Sequence, residues 1–433
     1  MKNRICFLSL FILFSLNGFC QVVNQAHLEK IAIDLGDVVQ NNENFTNFDE
    51  LKPLLQGVEI VMLGEQSHGE ATTYETKIKL IKYLHQNLGF DILAFESGIF
   101  DCNKAWEKMQ NGNDVRDAFG RGVLSTWSVE KELKPLSDYI EKSLKTDSPL
   151  ELMGFDSQLF YKFSEEYLMD DLAKYLEKLS PEIVKSKKWQ HLKNNYALFV
   201  KREFKQLKNN NPQQDTLFVN HLVNKLYQLE STDDSRFWIQ TLKSLKCFIS
   251  DLLLKTDFRD KQMADNLIWI KETNPNRKII CWGATSHFLY NSTKVRMSSP
   301  IVRLLGGNYY KKQAMMGDYI KKEYGEKVFA IGFTSYEGTY GANRTHKIKA
   351  PKEGAFEYQL GKLNHDNFLI PLHGLDIGGM ESRPLANRYM TTDITKVMDA
   401  VIFNRYMRRP KLDNNFYLKL YPDNKYIKPV PVE

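Results

Sequence analysis

The 433-residue chain has only five cysteines, and Cys6 and Cys20 fall within its first twenty positions. The other three, Cys102, Cys247 and Cys281, are odd in number and widely spaced. They indicate neither a disulfide framework nor a cysteine-based zinc site. Cys281 sits in an apolar run and reads as a core residue. Beyond the N-terminal segment no apolar stretch reaches the ~20 residues that cross a bilayer. A dense Lys/Arg block with interleaved aromatics is also missing, and the formal net charge is a mild +6. A nucleic-acid partner is therefore not expected. Two catalytic signatures are absent: there is no Gly-x-Ser-x-Gly elbow and no His-Glu-x-x-His helix.

What is present is a core-forming composition, 42% hydrophobic with 12% aromatics, which argues against disorder. Residues 1–20 have a basic start, a short apolar region, and small Gly18 and Cys20 before Gln21. This is the layout of a secretory signal peptide. The expectation is an exported protein, periplasmic or secreted, without stable membrane insertion once the leader is removed. Loss of Lys2 and Arg4 would leave a net charge of about +4.

The remaining residues, 21–433, read as one interrupted domain. After an amphipathic lead-in and the Asn-rich loop Asn41–Asn44, a strand-then-helix rhythm begins. Strands are predicted at 58–63, 90–96, 150–156, 277–283 and 327–333, with late candidates at 367–372 and 398–403. Apolar Tyr74, Ile78, Ile81, Leu84 and Leu88 recur at helical spacing up to Gly89, and Thr72-x-x-Glu75 is a capping-box pattern. Helices are also expected around Trp106 and Trp127, over 130–144 and from Phe258. Residues 160–255 carry charged amphipathic helices without strands. The stretch Ser335–Gly341 reads as a loop and the tail after Arg409 as irregular. The fold class is α/β: an open, mainly parallel sheet flanked by helices, with a large helical insertion or cap. In such sheets sites form beyond the carboxyl ends of the strands, where Glu65, Glu96, Asp156 and His287 fall.

The organising stretch is Val58-Glu-Ile-Val-Met-Leu-Gly-Glu-Gln-Ser-His-Gly69, a strand and glycine turn delivering Glu65 and His68. An imidazole can take a proton from water near neutral pH, and a carboxylate on its other nitrogen fixes the tautomer. Glu65 and Glu96 are candidates for that carboxylate. Ser67 adjoins His68, but neighbours on a turn rarely point at each other. Lys77 lies within the apolar arc of its helix and needs an anionic partner there, whereas Lys79 and Lys82 fall outside the arc and read as solvent-facing. His85 reads as a packed core histidine. Arg259 and His287 are candidates for orienting substrate or stabilising an oxyanion, with pairing of Arg259 to Asp260 or Asp265 as the plainer reading. Two alternatives stand beside water activation: a metal held by Glu65, His68, Glu96 and His287, and an envelope protein that binds a ligand without turnover.

Leu63-Gly-Glu-Gln-Ser-His-Gly69, Lys77, Leu88-Gly-Phe90 and Ala94-Phe-Glu96 resemble the signature of the erythromycin esterase family. The similarity continues through Gly154-Phe-Asp156, Arg259-Asp260, Met263, Asn266, the segment Ile280-Cys-Trp-Gly283 and Met316-Gly317. The resemblance implies hydrolysis of a macrolide lactone or related ester by activated water, with no cofactor and a small-molecule substrate. It implies His68 as general base, Glu65 as its partner and Glu96 as a further acid, with Lys77 where members carry Lys or Arg. One departure is visible. Members often carry Trp-Ala-His-Asn-x-His, whereas this chain has Trp282-Gly-Ala-Thr-Ser-His287. Ala284 replaces the first histidine and His287 matches the second.

Overall fold

A computed structural model describes residues 24–38, 43–228, 232–299 and 309–422. The expected signal peptide lies outside the described residues, as do Asn41 and Asn42 of the Asn-rich loop. The strands are β1 (Ile33–Asp34), β2 (Ile60–Leu63), β3 (Phe90–Gly98), β4 (Glu151–Asp156), β5 (Lys278–Trp282), β6 (Val328–Tyr340), β7 (His346–Ile348), β8 (Asn367–Pro371), β9 (Ser382–Leu385), β10 (Arg388–Met390) and β11 (Ala400–Met407). Nine of them form one sheet in the order β1-β8-β11-β6-β2-β5-β3-β4, with β7 paired to β6. The six strands from β11 to β4 run parallel, whereas β1, β7 and β8 pair antiparallel. Every strand predicted from sequence is present, and the expected mainly parallel α/β class is the observed one.

Successive residues of the central strands alternate between two cores. Val61, Leu63, Leu93, Phe95, Ile280 and Trp282 enter one, which the helix Ala71–Leu88 covers. Ile60, Met62, Ile92, Ala94, Ile279 and Cys281 enter the other, covered by the helix Arg259–Thr273. Burial on both faces explains why these strands read as unbroken apolar runs. Register then aligns the strand ends. Leu63 and Phe95 both pair with Trp282, so the residues just beyond them, Glu65, Glu96 and Ala284, emerge at one edge.

Between β4 and β5 the chain is helical, including Lys162–Leu179, Lys187–Val200, Pro212–Tyr227 and Asp233–Leu254. These helices share an apolar core of their own, with Trp189, Leu222 and Leu242 buried in it.

Four local expectations are corrected. The helix after β2 starts at Ala71 with Glu70 at its N-cap and no capping box. Thr72 instead donates to the Tyr406 carbonyl at 3.0 Å, and Glu75 pairs with Arg408. Lys79 and Lys82 are buried, because the N-terminal lead-in packs over that helix face. Lys79 donates to the Leu35 and Asp37 carbonyls at 2.8 and 3.0 Å, and Lys82 meets Glu43 at 3.5 Å. Residues 335–340 continue β6 because β11 and β7 supply backbone partners on both sides. The tail forms a helix, Asn414–Leu420, capped by Asp413, with Tyr417 and Leu420 packed beside Val129.

Candidate active site

Gly64 ends β2 beneath the loop that follows β5, where a Cβ would lie 2.3 Å from Thr285 Oγ1. This close approach lets the chain turn and send Glu65 inward, where it is wholly buried. Glu65 Oε1 lies 2.7 Å from His68 Nδ1 and accepts from Trp127 Nε1 at 3.0 Å. Its Oε2 accepts from Lys77 Nζ at 2.9 Å. Lys77 also donates to the Gly283 carbonyl at 3.2 Å and sits 4.3 Å from the Trp282 ring centroid. The misplaced cation of the helical wheel thus has its partner, and that partner is Glu65 rather than Glu96. Lys77 is fully buried. It does not line the cleft, contrary to its expected place near the substrate. Burial pushes its ammonium pKa down against the pull of Glu65.

The His68 side chain stays 41% exposed. With Nδ1–H given to Glu65, the neutral ring keeps Nε2 as its basic atom. Burial disfavours its protonation, but the hydrogen bond and charge of Glu65, with the charge of Glu96, outweigh that and raise its pKa. Ser67 lines the same cleft and makes no hydrogen bond to His68 among the described contacts.

Glu96 organises a second group. Its Oε1 accepts from Arg259 Nη2 at 2.8 Å and lies 3.3 Å from His287 Nε2. Its Oε2 accepts from the Ala284 backbone N–H at 2.9 Å. Arg259 also binds Asp156 through Nε and Nη2, at 3.0 and 2.7 Å. Asp260 instead holds His287 Nδ1 at 2.8 Å, and Asp265 pairs with Lys261. The plainer reading of Arg259 is therefore replaced by a buried network across strand ends. Burial works against the charge of Glu96, yet His287, Arg259 and His68 hold it well below the ordinary carboxylate range. Burial likewise opposes protonation of His287, but Asp260 and Glu96 raise its pKa to about 10. It is an imidazolium at neutral pH. Among the described residues no group of three His, Cys, Asp or Glu side chains is arranged to hold a metal.

His68 lines a cleft of about 610 Å³ whose walls come from the loop Tyr340–His346 and the β9–β10 hairpin tip. Gly69 has φ +87°, and a Cβ there would lie 2.3 Å from Ala342 N. Its carbonyl accepts from Gly341 N at 2.8 Å. Glycine is needed at this left-handed position in close contact with another backbone. Gln66 anchors the hairpin tip: its carbonyl accepts from Ala386 N at 2.7 Å, and its amide donates to Arg383 O and Asn387 Oδ1 at 2.8 and 3.0 Å.

The residues foreseen from sequence, Glu65, His68, Lys77, Glu96, Arg259 and His287, all lie at this edge, and of these six only His68 is among the residues lining the cleft. Sequence reasoning missed Trp127 as a donor to Glu65, Asp260 as the partner of His287, and Glu70. Burial and the charge of Glu65 raise the Glu70 pKa to about 8, and it binds Gln66 N and Asn387. Only Asp260 left a signal, as an acid beside Arg259. His85 is hydrogen-bonded as expected, with Tyr139 and the Ser148 carbonyl as partners, but it is half-buried at the helix end rather than a core residue.

An imidazole backed by a buried carboxylate, at the carboxyl edge of an open α/β sheet, is the equipment of a hydrolytic enzyme. The chain belongs to the erythromycin esterase family, whose model matches residues 85–406. That match begins after the Glu65–His68 turn. The chain is 29% identical over 333 residues, 70% of each protein, to "Putative hydrolase YbfO" of Bacillus subtilis (strain 168). Among solved structures it is similar to a Bacillus cereus protein, with TM-score 0.71, 18% identity, and coverage of 90% of this chain and 98% of that one. It is also similar to a mutant of the erythromycin esterase EreC in its open conformation, with TM-score 0.65, 18% identity, and coverage of 87% and 98%. At these identities the structural likeness carries the fold. Family and relatives make the chain a hydrolase.

Proposed function

We propose that this hydrolase opens a carboxylic ester, a macrolide lactone or a related compound, by attack of a water that His68 activates. The observation that carries this reading is the 2.7 Å contact between His68 Nδ1 and the buried Glu65 carboxylate, with the ring standing in the cleft. His68 Nε2 takes a water proton as the water oxygen bonds to the carbonyl carbon. Glu65 fixes the tautomer and stabilises the imidazolium. The tetrahedral oxyanion then collapses, the bond to the leaving oxygen breaks, and the imidazolium proton passes to that alkoxide. The products are an acid and an alcohol, joined in one chain when the substrate is a lactone, and His68 returns to neutral.

Arg259 and His287 supply positive charge for the oxyanion. Two nitrogens of Arg259 are committed to Asp156 and Glu96, whereas Nη1 meets no carboxylate and lies 3.4 Å from His287 Nε2. The Arg259 side chain remains 27% exposed, which suits a donor that must reach substrate. Lys77 acts by holding Glu65 in place. Glu96 orients Arg259 and His287.

The basic-then-apolar N-terminus supports export, and a mature protein beginning at Gln21 would show it. The hydrolytic reading is tested by incubating wild type and His68→Ala with macrolides and simple esters and following the gain of one water by mass spectrometry. Wild type adds water to at least one substrate. His68→Ala loses ~10²–10⁴-fold in rate, the contribution of a general base. Equal rates would refute the role of His68.

A further inference from the structure

We propose that the cleft beside His68 selects substrates carrying an anionic group, such as a carboxylate, and that Arg344 and Arg388 hold that group. The inference rests on the ester-hydrolase reading above and narrows its substrate class to anionic esters, at the expense of macrolides that carry a basic amino sugar. Arg344 and Arg388 both line the cleft with His68, and no Asp or Glu is among the lining residues. Both arginines are exposed, and among the described residues neither has a carboxylate partner. Four half-buried arginines away from this cleft, Arg121, Arg277, Arg405 and Arg408, each bind one or two acids. An unpaired guanidinium on a concave wall is a fork for a carboxylate or phosphate.

The two arginines come from different elements, and both elements are fixed to the turn that presents His68. Arg344 lies on the loop joined to Gly69 through Gly341 N at 2.8 Å. Arg409 braces that loop, donating to the Gly341 and Ala342 carbonyls at 2.8 and 2.7 Å. Arg388 follows the hairpin tip that Gln66 holds through Ala386, Arg383 and Asn387. His346 adds a third basic side chain and lies against the Tyr340 ring, with centroids 5.2 Å apart. The basic walls therefore keep a fixed position relative to the general base. Fixed charges on a cleft wall attract a substrate of opposite sign and repel one of like sign. An ester bearing an ammonium group would meet two guanidinium groups and no carboxylate on these walls.

The test compares kcat/KM for three matched aryl esters whose acyl chains end in a carboxylate, a neutral amide or an ammonium. Wild type should favour the carboxylate ester over the neutral one by about tenfold, the scale of two partly exposed ion pairs. Added salt should shrink the preference. Arg344→Ala with Arg388→Ala should abolish it, mainly through KM. Preference for the ammonium ester, or an unchanged carboxylate-to-neutral ratio in the double variant, would overturn the proposal. If wild type hydrolyses none of the three, and none of the macrolides and simple esters above, the ester-hydrolase reading falls. Calorimetric binding of hydrolysis-inert N-phenylsuccinamate then decides the anion site. Binding by wild type that the double variant loses supports the site, and absent or equal binding overturns it.

Discussion

The ammonium of Lys77 lies 2.9 Å from the carboxylate of Glu65, and neither side chain has any solvent exposure. The pair joins the helix Ala71–Leu88 to the turn after β2, and Glu65 passes that constraint to His68 through its other oxygen. In the proposed mechanism, chemistry at the cleft thus depends on a buried cation that does not line it.

Removing that cation leaves a buried carboxylate without its charge partner. Lys77→Met should cost about 3–5 kcal/mol, the usual penalty for breaking one side of a buried pair. Glu65→Gln in the same chain should recover part of the loss. Urea unfolding of both single variants and the double variant checks this as a cycle, and additive losses would mean that the two groups are not coupled.

The pH profile follows from the raised His68 pKa. A general base must be neutral, so kcat/KM should rise with pH through a midpoint above ~6.5, the ordinary histidine value. Burial opposes protonation of the ring, and the hydrogen bond and charge of Glu65 are the largest influences raising the midpoint against it. Glu65→Gln should therefore lower the rate and move the acid limb to lower pH. A midpoint that stays in place would detach Glu65 from His68.

His287 makes stability depend on pH. Its folded pKa is raised to about 10, against ~6.5 for an unfolded histidine. Its stabilisation is complete below the unfolded value and declines as pH rises through the folded one, because the folded state then holds the extra proton. The cost of His287→Gln should be larger at pH 6 than at pH 9, by a few kcal/mol at most (roughly one for each unit of pKa difference crossed). Chemical denaturation of both proteins at the two pH values measures it.

Trp127 donates to the same Glu65 oxygen that meets His68, at 3.0 Å, and its ring stands edge-on to the imidazole. Trp127→Phe keeps an aromatic ring and deletes the donor. His68 still meets that oxygen, so the expected stability loss is about 1.5–3 kcal/mol, the scale of one hydrogen bond to a charged group, with a fall in kcat larger than any change in KM. Steady-state kinetics and thermal unfolding separate the two effects.

Periodicity and strand-end position alone determined the α/β class, the run of parallel strands and the edge where Glu65, His68, Glu96 and His287 meet. These are properties of residues near one another in the chain: a strand buried on both faces must be apolar throughout, and polar residues just past its end must lie at one edge. Lys77 was legible as a misplaced charge for the same reason. The tertiary structure alone decided the pairings. Trp127 reaches Glu65 across 62 positions and Arg259 reaches Asp156 across 103. Asp260, adjacent to Arg259, turns to His287 instead. A helical wheel sees one helix, so Lys79 and Lys82 looked solvent-facing until the lead-in covered them. The cleft walls were illegible for a further reason: Gln66 and Gly69 are tied to Ala386 and Gly341 through backbone groups, which carry no side-chain signature in a sequence.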